Sequence, residues 1–199
     1  HHSDHIDGVD KLRKLTGAKV IGARSDAYRL PALDIPVVSG DIIKIGSHHS
    51  EILDTPGHTI GHISYYFRNA KKIFTGDSLM SLGCGRLFEG THKVMWETLK
   101  TFLELPADTM VYSGHEYSNS NAKFAISVDP SNQRLKERYK EIQNLLKNGK
   151  YTVPTSLELE FLINPFLRSA QPEFKNKLNM GQKTDEEVFK FLRTQKDNF

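Results

Sequence analysis

Apolar residues in this chain follow two different periods. Between residues 42 and 75 they alternate with polar ones in short runs, Ile42–Ile45, Glu51–Thr55, Ile63–Phe67 and Lys72–Thr75, punctuated by Gly, Asn and Lys. A period of two bounded by turn formers predicts half-buried β-strands. Ala18–Gly22 and Thr109–Tyr112 read as further short strands, and 25–36 reads as loop. Elsewhere the spacing is helical. Val9, Leu12 and Leu15, ending at Gly17, predict a short amphipathic helix. Met95, Leu99, Phe102 and Leu103 mark one face of a second, which Pro106 terminates.

After about Ser127 the pattern becomes helical throughout. Asp129-Pro130 reads as a cap with proline at the first helical position, Leu135, Ile142, Leu145 and Leu146 form a stripe, and Asn148-Gly149 stops it. A helix over 156–163 breaks at Asn164-Pro165, and a last one begins at Thr184, where Glu187 completes a capping box. The chain therefore divides into an α/β part, residues 1–127, and an all-helical part, residues 128–199.

Composition narrows the class. With 199 residues, 38% hydrophobic and 26% charged, the chain can bury a full core. No apolar run approaches the ~18 residues of a membrane span. The net charge of +3 has interleaved signs and gives no stripe for nucleic acid. Cys84 stands alone, so neither a disulfide framework nor a thiolate zinc site is expected. A metal-type motif at residue 1, without an initiator Met, leads us to expect an upstream portion that would hold any targeting signal.

That motif is His1-His2-Ser3-Asp4-His5, which supplies His2, Asp4 and His5 just before a helix. Imidazole nitrogens with a carboxylate suit a borderline divalent cation. Three more clusters each follow a predicted strand: Thr55-Pro56-Gly57-His58, Thr75-Gly76-Asp77 and Ser113-Gly114-His115-Glu116-Tyr117. Taken singly, Asp4 reads equally as a helix cap, Asp77 as a turn former and each histidine as structural. Four such clusters together point to a metal site. His62 stands four residues after His58, the spacing of a helical histidine pair, but Gly61 and the flanking strands oppose a helix there. We therefore expect His58 as ligand and His62 in packing or support. Six ligands result, and Asp77, with two carboxylate oxygens, is the natural bridge between two cations. His48-His49 fall in an expected turn and His92 at a helix start. Cys84 has no neighbouring base and reads as packing.

With these residues in view, the chain resembles the metallo-β-lactamase superfamily, whose signature is T-H-x-H-x-D-H followed by distant His, Asp and His. Within it, Thr55–His62, Phe74–Asp77, Gly83-Cys84-Gly85-Arg86, Gly114–Tyr117, Asn164-Pro165-Phe166 and Arg193–Asp197 resemble glyoxalase II, the hydroxyacylglutathione hydrolases. The resemblance spans essentially the whole chain and implies an αββα sandwich, its first strands absent from this chain, with a C-terminal all-helical domain for glutathione substrates.

It also implies a ligand set. One metal takes His2 and His58, together with a histidine that would fall just before residue 1. The other takes Asp4, His5 and His115, with Asp77 and a hydroxide shared, and Asp4 and Asp77 are the catalytic carboxylates. The cofactor expected is two divalent ions, zinc first, with iron or manganese as alternatives. Arg86, Phe88, Tyr117, Arg193 and Lys196 match glutathione-contacting positions. Phe88 stands where many members have Tyr, and Arg86 where many have Lys, which keeps the charge and changes the geometry. From helical spacing alone, Arg193 and Lys196 share a face and read first as complements to the helix dipole. The implied activity is hydrolysis of a 2-hydroxyacyl thioester of glutathione, by a cytoplasmic or mitochondrial monomer. The rivals are a mononuclear-iron persulfide dioxygenase of the same fold and a non-catalytic binding module.

Overall fold

A computed structural model describes all 199 residues. The chain opens with α1 (Ser3–Ile6) and α2 (Val9–Thr16), the latter closed by Gly17 in the left-handed region at φ 67°. β1 (Ile21–Ala23) pairs in parallel with β2 (Ile35–Val37). β2 overlaps the end of the stretch expected to be loop. Pro36 weakens its signal, while Ile35 and Val37 pack with Ile43 and Ile52 in a small core.

Next come β3 (Ile42–Ile45), β4 (His48–Asp54), β5 (Ile63–Phe67) and β6 (Lys72–Gly76), an antiparallel meander. His48 and His49 are therefore strand residues and not a turn. They pair with Ile45 and Lys44 across a two-residue Gly46-Ser47 loop, with Gly46 at φ 61°. β7 (Leu79–Met80) and β8 (Gly83–Cys84) make a tight hairpin. α3 (His92–Leu103) starts at a Thr91 cap, and β9 (Met110–Ser113) returns parallel to β6.

α4 (Ser118–Val128) has no counterpart in the hydrophobic pattern, because its buried face is built from Ser118, Asn121, Ala122, Phe124 and Ala125. The boundary expected at 127/128 falls at its last residue. α5 (Gln133–Lys147) then begins later than Asp129-Pro130 suggested. Asn132 is the cap, accepting from the Leu135 N–H at 3.0 Å. Asp129 instead closes α4 and pairs with Arg168 at 2.8 Å. β10 (Thr155–Ser156), α6 (Leu157–Ile163), a 3-10 turn (Leu167–Ala170), α7 (Pro172–Lys177) and α8 (Asp185–Asp197) complete the chain. α8 carries the expected capping box, with both the Thr184 and Glu187 halves present.

The main sheet has the order β10-β9-β6-β5-β4-β3. One face is buried: Tyr66, Ile73 and Val111 join Met95, Leu99 and Phe102 of α3, Phe166, and Phe189 and Leu192 of α8 in a single core. Each such side chain contributes about 1.5–3 kcal/mol of burial. This one core spans both halves of the chain, and β10 places the helical half at the sheet's edge. The opposite face carries half-exposed aromatics, with Phe74 stacked on Tyr112 at 5.0 Å.

Candidate metal centre and its cavity

Four loop ends converge at the C-terminal ends of β6 and β9. The Asp77 Oδ2 atom lies 3.3 Å from His5 Nε2, 3.4 Å from His58 Nε2 and 3.4 Å from His115 Nε2. On one side of it, Asp4 Oδ2 lies 3.2 Å from His115 Nε2 and 3.8 Å from His5 Nε2. Asp4, His5 and His115 can thus offer three donor atoms to one point. On the other side, His58 Nε2 lies 3.2 Å from His2 Nδ1. All six expected ligands meet, in the two groups expected, with Asp77 between them.

The donor set fits divalent cations. Two ligands about 2.0–2.2 Å from a tetrahedral ion stand about 3.3–3.6 Å apart, close to most of these separations. Asp77 Oδ1 is buried and has no hydrogen-bond partner, so the carboxylate holds an acceptor that a cation would satisfy. Burial and the neighbouring His58 lower the pKa of His2, favouring the neutral imidazole that a metal requires.

Surrounding contacts fix the candidate ligands. His58 Nδ1 donates to the Arg86 carbonyl at 2.7 Å, which leaves Nε2 free for metal. Both ring nitrogens of His62 are taken up by hydrogen bonds. Its Nε2 accepts the Asp77 backbone N–H at 3.1 Å, and its Nδ1 lies 2.8 Å from Thr55 Oγ1 and 3.0 Å from Ser78 Oγ. Burial, then the nearby histidines, pushes its pKa down to about 3, so the ring is neutral. Gly76 turns the chain at φ 48°, and a Cβ there would come within 2.7 Å of His62 Nε2. His62 is thus hydrogen-bonded to the backbone of Asp77 and to two hydroxyls.

A cavity of about 900 Å³ opens beside the donors, lined among others by His2, Asp4, His58, Asp77 and His115. Arg86, Phe88, Tyr117, Arg193 and Lys196 all line it as well. Phe88 is edge-on to His2 and His58, and Tyr117 stacks on His115 at 4.9 Å. Arg86 is largely exposed, its Nε 3.4 Å from Asp197 Oδ1. Lys196 lies over the Phe124 ring and donates to the Ser120 carbonyl; burial, then repulsion from Arg193, lowers its pKa. Arg193 is more committed than expected. It is buried, donates to the Cys84 carbonyl at 2.9 Å and to Asp197 at 2.9 Å, and lies over Phe166. Cys84 is buried with its thiol pKa raised by that burial, in keeping with a packing role.

Two features had no signal in the sequence. Glu116, inside the Gly-His-Glu-Tyr run, points away from the donors and accepts from Thr152 Oγ1 and the Val153 N–H. Glu89 pairs with Arg29, also accepts the Ile60 N–H at 2.9 Å, and is held at about 2, chiefly by Arg29. It braces the turn that carries His58, through partners far apart in the chain.

The metallo-β-lactamase superfamily model matches residues 1–115, and that of the hydroxyacylglutathione hydrolase C-terminus matches residues 116–199. A hydroxyacylglutathione hydrolase of Cereibacter sphaeroides is 48% identical over all 199 residues, which span 78% of its length. Another, from Ruegeria pomeroyi, is 50% identical with the same coverage. Among solved structures, ETHE1 from Myxococcus xanthus aligns with a TM-score of 0.63 and 26% identity, over 98% of this chain and 65% of that one. The BLEG-1 B3 metallo-β-lactamase aligns at 0.59 with 23% identity, over 83% of this chain and 73% of its own, a likeness of fold. No helix is long and apolar enough to cross a membrane.

Proposed function

We propose, for a chain that belongs to the hydroxyacylglutathione hydrolases of the metallo-β-lactamase superfamily, a binuclear site that hydrolyses S-(2-hydroxyacyl)glutathione. The enzyme class follows from membership; the metal count, the residue roles and the preferred acyl group are our reading. The product pair would be glutathione and a 2-hydroxy acid. With S-lactoylglutathione as substrate, the acid is D-lactate and the reaction is the second step of methylglyoxal detoxification.

The observation that carries this reading is the position of Asp77 Oδ2 within 3.4 Å of three histidine Nε2 atoms drawn from three separate clusters. Asp4, His5 and His115 would hold one cation, His2 and His58 the other, and Asp77 would bridge. Bound divalent cations supply a water nucleophile acidified to near neutrality and a Lewis acid for the carbonyl. His and Asp donors accept zinc, iron or manganese.

The chain's own residues do the rest. Asp4 and Asp77 fix where the nucleophile stands. The stacked His115 and Tyr117 form one wall beside the donors, and Phe88 forms another against His2 and His58. Arg86 and Lys196, with Arg193 behind them, place positive charge where the carboxylates of glutathione would lie. Hydrolysis forms a carbon–oxygen bond and breaks the carbon–sulfur bond. The thiol, with an ordinary pKa of ~8.5, departs as thiolate without a strong general acid. The cavity accordingly needs no further catalytic acid. The hydrolase-type segment 116–199, which supplies Tyr117, Arg193 and Lys196, favours this reading over the iron oxygenase and the non-catalytic module.

The deciding experiment is metal content measured together with turnover of S-lactoylglutathione. Two cations per chain with thioester hydrolysis support the reading. One iron per chain, with oxygen consumption on glutathione persulfide, would overturn it.

A further inference from the structure

Glu160 of α6 is fully buried, remote from the donor cluster, and unused in the chemistry above. Its carboxylate accepts four hydrogen bonds, all from neutral donors. Oε1 takes the Ser81 hydroxyl at 3.2 Å and the Thr155 hydroxyl at 2.9 Å. Oε2 takes the Leu82 backbone N–H at 2.7 Å and the Asn164 amide at 2.9 Å. Burial pushes its pKa up against these donors.

Two of those partners, Ser81 and Leu82, form the β7–β8 turn, and a third, Asn164, bonds to it from the end of α6. Leu82 sits there at φ 59°, a left-handed conformation rare for a branched residue. Asn164 also donates to the Gly83 carbonyl at 3.1 Å, and Asn121 to the Ser81 carbonyl at 3.1 Å. From this turn the chain runs directly into the site. The Cys84 carbonyl receives Arg193, and Gly85 passes so close that a Cβ would lie 2.1 Å from the Asp77 carbonyl and 2.9 Å from His58 Nδ1. The Arg86 carbonyl then accepts the Nδ1–H of His58, while the Arg86 side chain faces the cavity.

We infer that Glu160 is a positioning residue: it clamps the Ser81-Leu82 turn, and through the 84–86 segment sets both the orientation of His58 and the placement of Arg86. The inference rests on the reading of His58 as a metal ligand and Arg86 as a substrate contact. It makes the helical half a structural determinant of the metal site as well as a wall of the substrate cavity.

Charge and hydrogen bonding can be separated at this position. The two hydroxyls facing Oε1 can rotate to accept, whereas the Leu82 N–H and Asn164 amide can only donate. A glutamine with its oxygen toward Leu82 and its nitrogen toward the hydroxyls keeps all four contacts. The test compares Glu160→Gln, Glu160→Leu and the milder Ser81→Ala/Thr155→Val pair, with His58→Ala as control. The readouts are the rate of zinc loss to a chelator, the visible spectrum of the cobalt-substituted protein, and KM and kcat on S-lactoylglutathione.

Glu160→Leu is expected to raise KM and speed zinc loss by roughly 10-fold or more and to alter the cobalt spectrum, while Glu160→Gln stays within about threefold of wild type. Should Glu160→Leu fail to fold, the Ser81→Ala/Thr155→Val protein must show the same changes at smaller size. Unchanged zinc loss and KM in whichever of these folds overturn the clamp. So does a Glu160→Gln protein as impaired as Glu160→Leu. Failure of the underlying reading looks different: His58→Ala would then retain both cations.

Discussion

The Nε2 of His62 accepts the backbone N–H of Asp77 at 3.1 Å, so on the assignment proposed above a histidine with a ligand's spacing would hold a ligand in place instead of binding metal itself. Substituting the two histidines of this segment should therefore have different effects. His58→Ala should lose one cation outright. His62→Ala should keep both ligand sets and weaken metal affinity or activity by ~10–100-fold, the usual cost of removing an outer support. Metal analysis of the two variants distinguishes them, and the reverse pattern would exchange the assignments.

Asp77 touches both halves of the donor cluster. Asp77→Ala should bring metal content below two per chain and lower kcat/KM by more than the ~10–100-fold of an outer-support variant. Retention of both cations after dialysis would remove the bridging role.

At the far side of the cavity, the charged side chains separate by burial. Lys196→Ala and Arg86→Ala should raise KM by roughly 10–100-fold, equivalent to the ~1.5–3 kcal/mol of a charged hydrogen bond, with little change in kcat. Arg193→Ala should raise KM and also lower thermal stability, since it strips the Cys84 carbonyl and Asp197 of a buried partner. An Arg193→Ala protein with unchanged KM would remove this residue from the substrate site.

A pH dependence of stability follows from Asp129. Burial opposes its charge, but Arg168, Ser131 and Lys177 outweigh that and hold its pKa below 3.8. A depressed carboxyl contributes stability that is present above the unfolded pKa and lost as pH falls through the folded one. Asp129→Asn, which leaves Arg168 buried without its counter-charge, should cost about 3–5 kcal/mol at neutral pH. The gap to wild type, measured by urea unfolding, should narrow as pH drops below about 4.

What the sequence disclosed depends on the range of the physics involved. Strands β3 and β5 and the Thr184–Glu187 box rest on local alternation and capping, and they stand where that pattern put them. The convergence of the six residues proposed as ligands was equally legible, because metal chemistry restricts the residue types and the strand ends supply the position. α4 was invisible: it packs through Asn121, Ala122 and Ala125, whose small side chains leave no apolar stripe. Asp129 looked like a helix cap because its true partner, Arg168, lies far along the chain. Arg193 could be matched to a substrate position, but its grip on Cys84 could not be inferred from spacing alone.

β10 is only two residues long, yet it hydrogen-bonds to β9, the strand that delivers His115. An engineer who wished to transplant the C-terminal helices onto another hydrolytic scaffold would have to carry Thr155 and Ser156 with them and leave an open sheet edge to receive them. Variation in acyl or thiol preference is thus expected to arise by exchange of side chains on these helices, because swapping the helices as a cassette would tear the sheet beside His115.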